Sequence, residues 1–240
     1  MATNEGPVRY ERGDTIAILT LDDGKANALG PDMIAAIDAG LDRVQAEPKV
    51  RALVLAGRPG RFCAGFDLKA IARGRDVADP MVRAGADLFM RIYGFPRPVI
   101  AACTGHALAG GALLLLTCDA RIAARGPYKL GLNEVAIGIE LPVLVRRLAA
   151  DRIDTRRYTE AALLATVYDP SGAREVGFVD EVVEPDELLP RATARAIELA
   201  RLPPGAFARS KAHMRTAAIE QILGSFDEDL ERILSAGRPR

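Results

Sequence analysis

The sequence has no tryptophan, three cysteines and two histidines, and aromatic residues make up only 5% of its 240 positions. Each scarcity closes a class of function. Cys63, Cys103 and Cys118 are odd in number and form no C-x-x-C pair, which argues against a disulfide framework or a zinc knuckle and fits a reducing cytoplasm. His106 and His213 stand in no recognisable triad, no G-x-S-x-G elbow occurs, and no ligand spacing marks a zinc or iron centre. Hydrolase chemistry is therefore disfavoured, and no metal is implied. Charge of one sign is also missing: 32 Lys plus Arg balance 32 Asp plus Glu. Nothing draws the chain to nucleic acid or to an anionic membrane. The N-terminal MATNEGPVRYERGD lacks the apolar run of a secretory signal, so export is not expected.

What is present is the balance of a folded globular protein, 49% hydrophobic and 27% charged. Pro98 to Cys118 carries no charge and is about as long as a bilayer span. It also holds Pro98, Gly105, His106 and Gly110-Gly111, which break it into a strand, a turn and a helix start whose backbone lipid would leave unsatisfied. A buried core segment is expected. At about 150 residues per domain the length allows one or two domains. No linker rich in Gly, Ser or charge divides the chain, so we read one domain, with a core over 1–190 and a C-terminal helical extension over 191–240.

The runs TIAILTL (from Thr15), RALVLA (from Arg51), Pro98 to Ala102 and Asp119 to Ala123 read as buried strands. Between the first two lies an amphipathic helix that begins at Pro31, with Met33, Ile34, Ile37, Leu41 and Val44 on one face. Gly74 to Asp79 reads as a mobile polar loop before a helix over Met81 to Tyr93. Strands alternating with helices imply a largely parallel sheet faced by helices, and the chain beyond Pro142 reads as mostly helical, with an extended piece at Phe178 to Val183.

Two glycine-rich turns, each after a strand and before a helix, draw attention: Gly60-Arg-Phe-Cys-Ala-Gly65-Phe66-Asp67 and Gly105-His-Ala-Leu-Ala-Gly110-Gly111. Neither continues with the Lys and Ser or Thr of a phosphate loop, so nucleotide hydrolysis is disfavoured. One free amide from each, aimed at a common point, would make an oxyanion hole, helped by the positive end of a helix starting at Gly110. His106, in an apolar turn, reads as structural. Glu134, flanked by Leu132, Val135 and Ile137, has two readings: a base whose pKa an apolar wall raises, or a surface carboxylate at a helix start.

The ordered strings FCAGFDLKA, GHALAGGALLLLTCDARIA and GLNEVAIGI, with NAL at Asn27 to Leu29 and a later AREVGFVDEVV, resemble the crotonase superfamily, the enoyl-CoA hydratase/isomerase family. The resemblance covers roughly Val8 to Lys211. It implies an α/β fold, a spiral of β-β-α units with a C-terminal helical layer, and an acyl-CoA thioester as substrate. Coenzyme A is then part of the substrate, no separate cofactor is called for, and assembly as a homotrimer or dimer of trimers is implied. By resemblance, the amides of Phe66 and Gly110 hold the thioester oxygen. Lys25, Ala26 and the backbone near Ala64 are candidates for binding coenzyme A, with Lys69 near its phosphates. Lys25 and Lys69 read equally well as solvated surface charges.

A hydratase of this family uses two acids. Here the first position falls on Leu113 and only the second, Glu134, is acidic. A single base that moves one proton suits Δ3,Δ2-enoyl-CoA isomerisation, and the isomerases of the family resemble this chain in both features. Glu140, six residues beyond Glu134, is a possible second acid that would restore hydration. A weakly catalytic acyl-CoA-binding paralogue is the remaining alternative. The C-terminal tail after FDEDLERIL is shorter than is usual for the family.

Overall fold

A computed structural model describes residues 2–236, with side chains from 6 to 233. Met1 and the end of the short C-terminal tail, 237–240, lie outside the described residues. The chain opens with a hairpin of β1 (Ala2–Glu5) and β2 (Val8–Arg12), which a polar composition hides in the sequence. In β2 only Val8 and Tyr10 turn inward, the alternation of a strand with one wet face. It runs antiparallel to β3 (Ile16–Leu21), and α1 (Pro31–Ala46) then buries the face expected of it.

Three strand-strand-helix units follow. The first comprises β4 (Ala52–Gly57), β5 (Gly60–Cys63), the short α2 (Leu68–Ile71) and the long α3 (Arg75–Tyr93). The second is β6 (Val99–Cys103), β7 (Gly105–Leu108) and α4 (Gly110–Thr117). The third is β8 (Ala120–Ala124), β9 (Leu130–Gly131), a 3-10 turn at Val135–Ile137 and α5 (Val143–Arg152). A π-turn at Thr159–Leu163, α6 (Pro170–Val176), β10 (Glu181–Val183), α7 (Leu188–Leu199), α8 (Pro204–Gly224) and α9 (Phe226–Ala236) complete the chain. The step from 190 to 191, where the helical extension was expected to begin, falls inside α7.

The first strand of each unit joins a seven-stranded sheet in the order β1-β2-β3-β4-β6-β8-β10, parallel from β3 onward. The second strand joins a separate parallel sheet, β5-β7-β9. This is the spiral of β-β-α units, and it corrects the expectation of one simple parallel sheet. GRFC and GHAL, read as turns, are strands. At four residues each, with Gly at the start, they are too short to display a period.

Gly74 to Asp79 is also corrected: helix α3 starts at Arg75 and carries Pro80 inside it. The polar turn is held by charge, since Arg75 pairs with Asp79 at 3.1 Å across one helical turn and with Glu231 of α9 at 2.5 Å.

Period-two alternation divides the core between the two faces of the large sheet. Leu53 and Leu55 of β4, with Val99, Ala101 and Cys103 of β6, join the main core with α1, α3 and α4. Ala52, Val54, Ala56, Ile100 and Ala102 face the other way, onto Leu188, Ala192 and Ala196 of α7. The uncharged stretch from Pro98 to Cys118 lies largely buried in β6, β7 and α4, and no described helix is long and apolar enough to cross a membrane. Helix α8 is anchored by a buried ion cluster: Lys211 Nζ lies 2.7 Å from Asp119 Oδ2 and Arg215 Nη2 lies 2.8 Å from Asp119 Oδ1. The same Asp119 accepts the Val99 N–H at 2.9 Å, so one carboxylate ties α8 to the ends of β6 and β8.

Candidate active site

The exit of β3 is held against β5 by Asn27, fully buried and in the left-handed region at φ 52°. Its Nδ2 reaches the carbonyls of Leu21, Arg61 and Phe62 at 2.9 to 3.2 Å, and its Oδ1 accepts the Asp23 N–H at 3.0 Å. Leu29 is thereby laid beside the turn after β5. Its N–H donates to Gly65 O at 2.8 Å and its carbonyl accepts from Asp67 N at 3.3 Å. This parallel bridge engages the neighbours of Phe66 and turns the Phe66 N–H away, leaving it without a protein acceptor among the described residues.

Gly110 is the first residue of α4, so its N–H belongs to the helix-start donors that no intrahelical carbonyl can satisfy. It too meets no acceptor among the described residues. The preceding Ala109 sits at φ 48° and ψ −121°, a backbone conformation that costs a residue bearing a β-carbon about 1–3 kcal/mol and tends to persist at working sites. The two turns touch. Gly65 has φ +90°, and a β-carbon there would lie 3.1 Å from Gly110 N. One built on Gly110 would lie 3.4 Å from Phe66 N. Two unpaired amides thus stand side by side at the positive end of α4.

Glu134 leaves β9 just before the 3-10 turn and is only 5% exposed. Its Oε2 is buried with no hydrogen-bond partner among the described residues. Burial pushes its pKa up to about 7, against a smaller opposing pull from its own backbone N–H. It faces a cavity of about 200 Å³ shared with Phe66, Gly110, Leu113, Asn133 and Leu144. Among the described residues that line this cavity, Glu134 is the only ionisable side chain. Leu113, at the position of the first acid, presents hydrocarbon. The same lining thus holds an uncompensated carboxylate that burial moves toward neutrality and the two turns whose N–H groups meet no acceptor among the described residues.

The structure separates the other sequence candidates. Ala64 lines the cavity, and Ala26 beside it accepts the Ala64 N–H at 3.1 Å without lining the cavity itself. Lys25 is exposed, and its carbonyl accepts from Arg58 Nη1 at 3.0 Å. Lys69 is exposed on α2, whose first turn is capped by Asp67. Glu140 does not join Glu134: its side chain is 66% exposed and faces Arg232 at 4.0 Å. Its neighbour Ile139 still lines the cavity, so it is the outward direction of the Glu140 side chain that keeps this acid from Glu134. His106 accepts the Lys129 N–H on Nδ1 at 3.0 Å and packs edge-on against Tyr128. Burial, then Arg61 and Lys129, lower its pKa. No group of three His, Cys, Asp or Glu among the described residues is placed to hold a metal.

Phe226 and Ile233 of α9 line the cavity without having been singled out from the sequence. The available signal was Phe226, Leu230 and Ile233 at helical spacing.

The enoyl-CoA hydratase/isomerase family model matches residues 11–232. The human mitochondrial enoyl-CoA delta isomerase 1 is 29% identical over 232 residues, covering 95% of this chain and 76% of the human protein. The crystal structure of human mitochondrial Δ3-Δ2-enoyl-CoA isomerase superposes with a TM-score of 0.91 at 28% identity, covering 95% of this chain and 91% of that one. A Mycobacterium tuberculosis protein, named an enoyl-CoA isomerase in one crystal structure and a probable enoyl-CoA hydratase in another, gives a TM-score of 0.87 at 39% identity in the first, with 93% and 97% of the two chains covered. An enoyl-CoA hydratase from Mycobacterium marinum gives 0.89 at 38%, with 95% and 100% covered. On these grounds the chain belongs to the enoyl-CoA hydratase/isomerase family of the crotonase superfamily and is an acyl-CoA enzyme.

Proposed function

We propose that the enzyme interconverts 3-enoyl-CoA and 2-enoyl-CoA, with Glu134 as the sole proton carrier. Its main support is that Glu134 is buried and unpartnered, with no second ionisable group among the described residues that line the cavity. The thioester oxygen accepts hydrogen bonds from the N–H groups of Phe66 and Gly110. Glu134 removes a proton from C2, and the electron pair moves onto that oxygen to give a conjugated enolate. Return of the proton to C4 moves the double bond from C3–C4 to C2–C3. One C–H bond breaks and one forms, so neither water nor a further cofactor enters the balance. Hydration would require a water to be activated and a second proton delivered, and Leu113 supplies no group for it.

Coenzyme A extends past Ala26 and Ala64, with Lys25 and Lys69 as charge for its phosphates. We place the enzyme in the cytoplasm, where its three buried free thiols remain reduced. Assembly as a homotrimer or dimer of trimers fits exposed apolar side chains beside the site. Val135 and Leu163, for example, share one surface depression with Arg146.

Steady-state assays on both enoyl-CoA isomers provide the test. The expected result is fast isomerisation, slow hydration, and a loss of isomerisation of about a thousandfold in Glu134→Gln. Rapid hydration of the 2-enoyl substrate defeats the single-base mechanism. Turnover unchanged in Glu134→Gln leaves a weakly catalytic acyl-CoA-binding protein.

A further inference from the structure

The catalytic turns do not supply the far wall of the cavity. Phe226 and Ile233 of α9 line it, together with Val82, Ala86 and Phe89 of α3. Charge ties α9 in place. Arg75 meets both carboxylate oxygens of Glu231 at 2.5 and 3.0 Å. Arg83 pairs with Asp227 at 2.6 Å and lies over the ring of Phe226, 5.3 Å from its centroid. On the other side, the buried Asp229 accepts the Val143 N–H at 2.6 Å, at the start of α5. Helices α3 and α5 are thus each joined to α9 by acids of α9.

The two anchorages differ in kind. Asp229 is buried, whereas the arginine pairs are open to solvent, where such pairs are individually weak and screened by salt. The space inside this lining is about 200 Å³. An acyl tail that runs toward Phe226 and Ile233 meets α9 and, once long enough, has to displace it.

We propose that α9 is a charge-latched wall that sets the length of acyl tail the site accepts, with Arg75–Glu231 and Arg83–Asp227 as the latch and Asp229 as the fixed anchor. This rests on the acyl-CoA site described above. It adds a determinant of specificity that lies outside the catalytic turns.

The test compares 3-hexenoyl-CoA with 3-dodecenoyl-CoA as substrates of the wild type and of the double variant Arg75→Ala/Arg83→Ala. The wild type is expected to favour the shorter substrate. The double variant should raise the long-to-short ratio of kcat/KM by about tenfold, the combined effect of two exposed pairs, and high salt should move the wild type the same way. The swap Arg83→Asp/Asp227→Arg, which restores the pair in reverse, should return most of the wild-type preference. An unchanged ratio in the double variant overturns the latch, whether or not hydrogen exchange in α9 rises. So does a ratio raised by Phe226→Ala but not by loss of the arginines.

Calorimetric binding of saturated hexanoyl-CoA and dodecanoyl-CoA separates this proposal from the isomerase assignment. A latch-dependent shift in binding without enoyl-CoA turnover keeps the latch and removes the isomerase. Turnover with a length profile that ignores the latch does the reverse.

Discussion

The ring of Phe66 rests on the bare backbone of Gly85: a β-carbon added to Gly85 would lie 2.3 Å from Phe66 Cε1. Helix α3 therefore reaches the amide proposed to hold the thioester oxygen through a side chain. Phe66 also meets Phe89 edge-to-face at 6.0 Å, so its ring is boxed on the α3 side. Gly85→Ala should push the ring, and the Phe66 N–H with it, out of alignment. We expect kcat/KM to fall by about a hundredfold, as displacements near 1 Å do in positioned sites. Overpacking costs about 1–3 kcal/mol, partly offset by the better helix propensity of alanine. Kinetics and urea unfolding on the same preparation check both numbers.

The buried carboxylate makes stability and activity oppose each other in pH. Glu134 is raised from 4.5 to about 7 in the fold, so the native state binds the extra proton between those values. Its contribution is complete below pH 4.5 and is lost as pH rises through 7, reaching about 3 kcal/mol of destabilisation above that. Glu134→Gln removes this penalty, so its advantage in Tm over the wild type should grow from pH 5 to pH 8. In the wild type kcat/KM should rise over the same range, with a midpoint near 7. A flat difference in Tm would place the carboxylate in water.

Leu113 lines the cavity and is 3% exposed, on the helix that begins at the oxyanion turn. Installing the missing acid with Leu113→Glu should raise the ratio of hydration to isomerisation by about a hundredfold, the usual scale for one positioned general acid. The protein should lose about 2–4 kcal/mol, since a second carboxyl enters an apolar wall. Product analysis from a single 2-enoyl-CoA substrate measures the first, and thermal unfolding the second.

Asp119 is the shared acceptor of Lys211, Arg215 and the Val99 N–H. Asp119→Asn leaves two buried cations without their one acidic partner among the described residues and should cost about 3–5 kcal/mol. Hydrogen exchange is expected to show α8 opening first. Replacing an exposed pair such as Arg125–Glu184 should cost under about 1 kcal/mol, and serves as the control.

Much of the architecture was legible in the residue order. Strands β3, β4, β6 and β8 are buried on both faces and show as apolar runs, while α1 shows as a 3.6-residue stripe capped by proline. β5 and β7 were hidden because four residues beginning with glycine carry too little pattern, and their partners lie in other units of the spiral. The first turn of α3 was hidden because its support includes Glu231, 156 residues away. The Phe66 and Gly110 turns were visible as glycine spacing, and Glu134 as an acid among apolar neighbours. Glu140 was indistinguishable from it on composition alone. Packing separates them, since Glu134 lines the cavity and Glu140 faces Arg232, and that difference does not show in a hydrophobic pattern.

Residue order alone determined the alternation of buried strands and helices, the lack of metal or nucleophile signatures, and the ordered strings that mark the family. These are local, since strand and helix periods and short turns are set within a few residues. Only the tertiary structure decided that Glu134 is buried while Glu140 is exposed, that two amides from separate units meet unpaired, and that α9 lines the cavity. Desolvation and open hydrogen-bond donors depend on what packs from far along the chain, and no segment carries that information by itself.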